Sequence, residues 1–360
     1  MNPGPRFQRL NVLVTGAGAP GIMGTLHCLR HNPDHAVVNV TGVDISADPA
    51  GRYSVDSFYQ VPAPECDDYT DALLGICEAE HVRLIVPQTT REIPRLAKDR
   101  AIFDRHGVRV MVADAGVINR ANDKVATLRA FESVGLPVPG FRVADTPGAV
   151  MTAASQFGYP DNPVVIKLPV SNGMRGLRVL QEQAQSFDDF ASKKPEPGSM
   201  SLNEFLRIYR SGTGSARIMV CEYLPGDEYS VDAFREGEFT IAVPRRRTVI
   251  RSGISFVTDV DLDQEIIDQS LRGAAALSIE GTFGFQFKRD AEGRPRLLEC
   301  NPRIQGTMVA SAIAGANVIW MGVRWALGLP TEPPGSIRDG TRFSRYWGGV
   351  SQVGGSTIHI

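Results

Sequence analysis

The chain has no excess of charge, no clustered cysteines and no long apolar run, and each absence removes a class of function. Its 38 lysines and arginines against 40 aspartates and glutamates leave a formal charge of −2. Nothing general therefore draws it to nucleic acid or to an anionic membrane, and any basic patch must be local. The five cysteines, Cys28, Cys66, Cys77, Cys221 and Cys300, stand apart without C-x-x-C spacing. They read as reduced thiols of a cytoplasmic protein, not as a zinc site or a disulfide frame. The polar opening MNPGPRFQRLN leads straight into a strand, so no secretory leader is expected, and no apolar run approaches bilayer-spanning length. There is no internal repeat.

What is present is ordinary in bulk. A length of 360 residues, 42% hydrophobic and 22% charged, suits a soluble globular protein of two or three domains. From residue 11 to about 115, the runs NVLVTG, AVVNVTGVD, RLIVPQ and VRVMVAD alternate with helical patterns near 21–31, 68–80 and 92–106. That alternation predicts βαβ units and a doubly wound parallel sheet, with strands apolar enough to be buried on both faces. NDKVATLRAFESVGLPVP then predicts a helix capped at Asn122 or Asp123 and stopped by Gly135, Pro137 and Pro139. After it come NPVVIKLP, the loop SNGMRG, RVL and the polar stretch SKKPEPGSMS. RIMVCEYLPG and EYSVDAF are expected as two strands about a turn, followed by FTIAVPRRRTVI, a helix near 263–279, and GFQFKRD paired with RPRLLECN around AEGR. This half reads as α+β.

The stretch VLVTGAGAPGIMG poses a question about cofactor. Gly16, Gly18 and Gly21 have the G-x-G-x-x-G spacing of a dinucleotide turn, and Asp44 ends the next apolar run, where a ribose-binding carboxylate belongs. The same glycines also serve any doubly wound domain that needs a tight first turn, so the spacing alone does not decide.

Three further segments carry chemistry. In GFQFKRDAEGRPRLLECNPR, strand alternation sets Gln286 opposite Glu299 with Asn301 two residues on, a face of oxygen donors with a single carboxylate. Such donors suit Mg²⁺ that is also held by substrate phosphates, with Mn²⁺ as a substitute, and Arg303 follows to take an anionic oxygen. Lys167 ends the strand VVIK ahead of Ser171, Gly173, Arg175 and Gly176, a phosphoryl-transfer layout of lysine and glycine loop that is not a Walker loop, since no G-K-[ST] follows. Glu222, Tyr223 and Leu224 can meet a purine with their backbone and Glu228 a ribose; the alternative is a hairpin with acidic decoration. Arg247 and Arg251 in PRRRTVIRSG can stabilise an acyl phosphate or can guard an exposed strand edge.

Taken together, these segments resemble the ATP-grasp superfamily, most closely the synthetase units of the carbamoyl-phosphate synthase large subunit and single-unit carboxylate-amine ligases. The similarity runs over nearly the whole chain, and ECNPR is its most specific part. It implies a Rossmann-like domain over 1–115, a two-lobed ATP-grasp domain over 116–330 with a lid near 165–232, and a C-terminal segment 331–360. It also implies nucleotide contacts from Lys124 and Lys167, adenine and ribose contacts from Glu222, Leu224 and Glu228, and two Mg²⁺ on Gln286, Glu299 and Asn301. The glycine turn would then help to form a second-substrate site and bind no nicotinamide.

The expected protein is a cytoplasmic ligase that activates a small-molecule carboxylate as an acyl phosphate and couples it to an amine, acting on neither nucleic acid nor membrane, with a homodimer left open. The chain shows a single grasp unit with no ammonia-generating domain and no biotin-attachment segment, which departs from a complete carbamoyl-phosphate synthase. Two alternatives stay open: a bicarbonate-activating enzyme of that kind, and a nucleotide-binding regulatory protein without turnover.

Overall fold

The computed structural model describes residues 8–171, 175–182, 198–212, 216–346, 348–353 and 356–359. Its first sheet is built by the Val- and Ile-rich runs. Strands β1 (Arg9–Thr15), β2 (Val37–Asp44), β3 (Ser57–Gln60), β4 (Leu84–Val86) and β5 (Arg109–Val110) lie parallel in the order β3-β2-β1-β4-β5. Alternate residues of β1 feed two cores. Leu13 faces α2 (Tyr69–Ala79) and α3 (Ile93–Arg105), whereas Val12 and Val14 face α1 (Ile22–Arg30). Strand order reverses between β1 and β4, and that switch point is where α/β sheets bind ligands. The expected helices near 21–31, 68–80 and 92–106 agree with α1, α2 and α3 to within a residue or so at each end.

Helix α4 (Ala115–Asn122) comes next, and α5 (Lys124–Ser133) follows it with Asp123 as its N-cap, accepting from the N–H groups of Val125 and Ala126. The second sheet, in the order β6-β10-β7-β8-β9, combines β6 (Phe141–Ala144), β7 (Val164–Lys167), β8 (Arg178–Leu180), β9 (Ser199–Met200) and β10 (Ile218–Glu222). It packs on α6 (Pro147–Gln156) and α7 (Leu202–Arg210). The third sheet, in the order β15-β14-β11-β12-β13-β16, is antiparallel. Its strands are β11 (Glu228–Glu236), β12 (Phe239–Arg251), β13 (Ile254–Val260), β14 (Gly281–Arg289), β15 (Pro295–Asn301) and β16 (Arg342–Ser344).

Here one expectation fails. RIMVCEYLPG and EYSVDAF are not two strands about a turn: β10 lies in the second sheet and β11 in the third. The Pro-Gly pair reads as a reversal, but Gly226 serves a close approach. Its N–H donates to the Arg289 carbonyl at 3.0 Å, and a Cβ there would come within 2.7 Å of Arg289 Cβ. The segment thus carries the chain from one sheet to the other, and the range 165–232 takes in strands of both.

The third sheet has one apolar face. Phe283, Phe285 and Phe287 of β14 with Tyr229, Val231 and Ala233 of β11 pack against Phe131 of α5 and against α8 (Gln264–Leu277). Gly273 is what lets α8 approach, since a Cβ there would sit 2.0 Å from the Phe131 ring. The C-terminal part then returns to both earlier layers. Helix α9 (Val309–Ala314) and helix α10 (Val318–Ala326) pack with α1, the buried Trp320 donating its indole N–H to Asp34 at 2.9 Å, and β16 pairs with β13. Among the described residues no helix is long and apolar enough to cross a membrane.

Candidate nucleotide and metal site

Side chains directly opposite each other in an antiparallel pair share a face, so the apolar face of the third sheet implies what stands on the other. Gln286 pairs with Glu299 and with Ser230, and Gly284 pairs with Asn301 and with Asp232. That face is polar across β15, β14 and β11. The β14–β15 hairpin is fixed at its turn by Asp290, which accepts from the backbone of Glu292 and Arg294 and pairs with Arg294 and Arg296. Burial works to raise the Asp290 carboxyl, but these hydrogen bonds hold it down at about 2. Between Gln286 and Phe287 the register shifts, leaving Leu298 as an extra residue. The Leu298 carbonyl receives Lys167 Nζ at 3.3 Å.

Around this hairpin the predicted residues gather. Lys124 Nζ lies 3.3 Å from Glu299 Oε2 and donates to the Ser171 carbonyl at 2.7 Å. Asn301 Nδ2 donates to Glu299 Oε1 at 3.1 Å, and Arg303 Nη2 to Asn301 Oδ1 at 3.4 Å. Arg303 Nε reaches Thr90 Oγ1 in the loop after β4 at 2.7 Å, so the N-terminal domain closes one side of the site. Burial draws the Arg303 guanidinium below the ordinary arginine range, against the pull of Glu299 and Glu92. Lys124 and Lys167 are both buried. Gly176 has φ +69° and is exposed, as is Arg175, while Gly173 lies outside the described residues.

The base and ribose candidates are more dispersed. Glu222 Oε1 accepts from the Gly140 N–H at 3.0 Å, Tyr223 is exposed with Lys288 Nζ 5.4 Å from its ring centroid, and Leu224 is buried. Glu228 stands two residues from Ser230, on the polar face, and is paired with Arg247. Arg247 also donates to Ser255 Oγ at 2.8 Å and to the Gly253 carbonyl at 2.6 Å. Arg251 lies over the Phe256 ring at 4.7 Å. The edge-guard alternative for this run is wrong, because β12 lies between β11 and β13.

The structure adds residues that the sequence did not single out. Arg245 is fully buried and forms a two-pronged pair with Asp232 at 2.6 and 2.7 Å. It donates also to Thr307 Oγ1 at 2.9 Å, while Ser311 donates to Asp232 at 2.5 Å, which ties down the segment after Arg303. Period-two alternation places Arg245 on the face of Arg247, a signal that was present in PRRR. Arg345 donates to the carbonyls of Pro20 at 2.6 Å and Gly306 at 2.7 Å, bridging the glycine turn to that same segment.

The glycine turn itself is filled by protein. Gly18 N–H and Ser46 N–H both donate to the Asp44 carboxylate, and a Cβ on Gly21 would come 2.8 Å from Gly306 Cα. At the switch point, Glu92 accepts from Thr15 Oγ1 at 2.5 Å and from the N–H groups of Gln88 and Thr89 at 2.9 and 2.7 Å.

The donor set fits the metal that the sequence suggested, with one condition. Among the described residues no group of three or more His, Cys, Asp or Glu could hold a metal. One carboxylate and two amides on one sheet face suit a hard cation only when phosphate oxygens complete its shell.

Three layers, a parallel-sheet domain followed by a mixed and an antiparallel sheet around a polar seam, define the class: an ATP-grasp fold behind a Rossmann-like domain. Residues 215–346 match the family described as ATP-grasp in the biosynthetic pathway with Ter operon, and residues 12–111 match the PylC-like N-terminal domain. The chain therefore carries an ATP-grasp domain preceded by a PylC-like domain. Among solved structures, N5-carboxyaminoimidazole synthetase from Staphylococcus aureus, complexed with ADP, superposes with a TM-score of 0.68 at 16% identity, covering 93% of this chain and 81% of that one. Biotin carboxylase from Campylobacter jejuni gives 0.69 at 16% identity, with 92% and 74% covered. The biotin carboxylase domain of Hydrogenobacter thermophilus 2-oxoglutarate carboxylase, solved as a dimer with MgADP, ADP and bicarbonate, gives 0.69 at 15% identity, with 94% and 74% covered. At these identities the likeness is one of fold.

Proposed function

We propose that the protein is an ATP-dependent ligase that activates a small-molecule carboxylate and joins it to an amine. The observation that carries this reading is the contact chain from Ser171 through Lys124, Glu299 and Asn301 to Arg303 and Thr90. It joins a glycine loop, a cation, an oxygen-donor face and the N-terminal domain at one seam, and it is supported by the nucleotide complexes of the structural relatives.

In this reading Lys124, Lys167 and the loop from Ser171 to Gly176 hold the ATP phosphates, the 222–224 backbone meets the adenine and Glu228 the ribose. A carboxylate oxygen attacks the γ-phosphorus, ADP leaves, and an acyl phosphate forms. The amine nitrogen then attacks the acyl carbon and phosphate leaves. No protein nucleophile is needed, because the work is positioning and charge neutralisation. Gln286, Glu299 and Asn301 would hold Mg²⁺, which when bound supplies neutralisation of the β- and γ-phosphates. Arg303 is assigned to the acyl phosphate. Arg247, engaged by Glu228, Ser255 and Gly253, is assigned to orienting Glu228, and Arg251 keeps no role. A cytoplasmic location belongs to the same proposal and suits five free cysteines, all but Cys66 buried.

The test is ADP release across a panel of carboxylates, bicarbonate included, each paired with a panel of amines. Release that needs one acid and one amine is expected. ADP that never appears with any pair would sink the reading.

A further inference from the structure

Glu299 has two carboxylate oxygens, and both have partners in the chain. Oε1 takes the Asn301 amide at 3.1 Å, and Oε2 faces the Lys124 ammonium at 3.3 Å. Each oxygen keeps a second lone pair, but a divalent cation bound there would share one carboxylate with the Lys124 ammonium, and the two positive charges compete for it. The Lys124 side chain is only 8% exposed and that of Glu299 25%, so this is not a screened surface pair.

The surrounding charge points the same way. Lys124, Lys167 and Arg303 bring three cationic side chains to the hairpin, against Glu299 and, acting on Arg303 from the N-terminal domain, Glu92. A bare divalent cation would therefore enter a region of positive charge. The same cation accompanied by ATP phosphates would not. Lys124 is also the piece that ties the glycine loop to the hairpin: its N–H donates to the Pro169 carbonyl at 2.9 Å and its ammonium to the Ser171 carbonyl at 2.7 Å. Its backbone is fixed by the Asp123 cap, but its four-carbon stem lets the ammonium swing between acceptors.

We infer that Lys124 is the resident cation of the metal site. Its ammonium competes with the metal for Glu299, and the nucleotide phosphates, by offering Lys124 a better acceptor, open the carboxylate to the metal that they carry. Metal and nucleotide thus enter together, and metal alone is refused. This rests on the metal reading proposed above.

The experiment titrates Mn²⁺ into the full chain without nucleotide and follows free Mn²⁺ by its electron paramagnetic resonance signal, with circular dichroism checking that each sample is folded. Lys124→Met should bind Mn²⁺ about tenfold or more tightly than wild type, the factor by which a competing pair reduces apparent affinity when it occupies Glu299 most of the time. Lys124→Gln should act in the same direction, and adding Glu299→Gln to either should abolish the gain. If both lysine variants bind Mn²⁺ no better than wild type, while wild type still takes up Mn²⁺ with ATP, the resident-cation inference is overturned and the metal assignment survives. If Glu299→Gln takes up as much Mn²⁺ with ATP as wild type does, beyond what ATP binds in a protein-free sample, the metal assignment falls and the inference with it.

Discussion

Two polar centres of this molecule, near enough for Glu92 of one to act on Arg303 of the other, are built on opposite principles. At the switch point of the parallel sheet, the groups of the tempting motif are engaged by the protein itself. Glu92 fills the crevice with its own carboxylate, Asp44 is taken by Gly18 and Ser46, and Gly21 packs backbone to backbone on Gly306. On the polar face of the third sheet Glu299, Asn301, Lys124 and Arg303 meet one another through contacts of 3.1 to 3.4 Å, made by a lysine, an amide and an arginine that can exchange partners. A motif's spacing says which residues meet. Only their partners say whether anything is left for a ligand.

The largest effect should come from the framework beneath the second centre. Arg245→Met strands Asp232 in a fully buried position, and loss of one partner of such a pair costs about 3–5 kcal/mol, read from denaturant unfolding. Asp232→Leu in the same chain should recover most of that loss, since both charges are then gone. If Arg245→Met unfolds like wild type, the pair does not hold the segment after Arg303. Next is Glu299→Gln, which removes the only carboxylate among the three proposed metal ligands. Turnover should fall on the order of 10²-fold or more, with ATP still bound through Lys167 and the 222–228 segment. Near wild-type turnover at saturating Mg²⁺ would remove the metal site from this hairpin.

How much of this was legible follows from how local each feature is. The parallel sheet was readable because its strands and helices announce their periods within single segments, and Gln286 was placed opposite Glu299 because a short turn fixes a hairpin's register. What stayed hidden depends on distant pairing. Nothing near LPGD says that β10 and β11 belong to different sheets, and nothing near Arg345 says that it reaches back to Pro20. Arg245 is the intermediate case. Its face could be counted from Arg247, but its complete burial depends on β13 and on the segment at 305–311, which the pattern of PRRR does not contain.

A smaller effect probes the filled centre. Gly21→Ala would put a methyl group 2.8 Å from Gly306 Cα, and because that neighbour is backbone the two segments must part. Overpacking of this kind costs about 1–3 kcal/mol, seen as a lowered unfolding midpoint. Gly21 has φ −92°, so no backbone strain contributes. An unchanged midpoint would mean that the turn is loosely packed and has room for a ligand after all.

The finest discrimination between the two centres is the sign of their pH dependence. Asp290, at the turn of the site hairpin, has its carboxyl held down at about 2 against an ordinary 3.8. It therefore contributes stability that is present above its ordinary value and is lost as pH falls through about 2. Glu92 is moved the other way: burial pushes its carboxyl up, against the hydrogen bonds from Thr15, Thr89 and Gln88 that pull it back. The folded protein then holds that proton more tightly than the unfolded chain does, so stability from this group is greatest at low pH and declines as pH rises from the ordinary glutamate range through the raised value. Glu92→Gln keeps the shape and an acceptor oxygen but removes the titration. Urea midpoints measured from about pH 4 upward should fall with pH more steeply in wild type than in Glu92→Gln, with the variant at least as stable at neutral pH. Parallel curves for the two proteins would mean that the Glu92 carboxylate is as comfortable in the switch point as in water, and the crevice would then have to be regarded as wet and open.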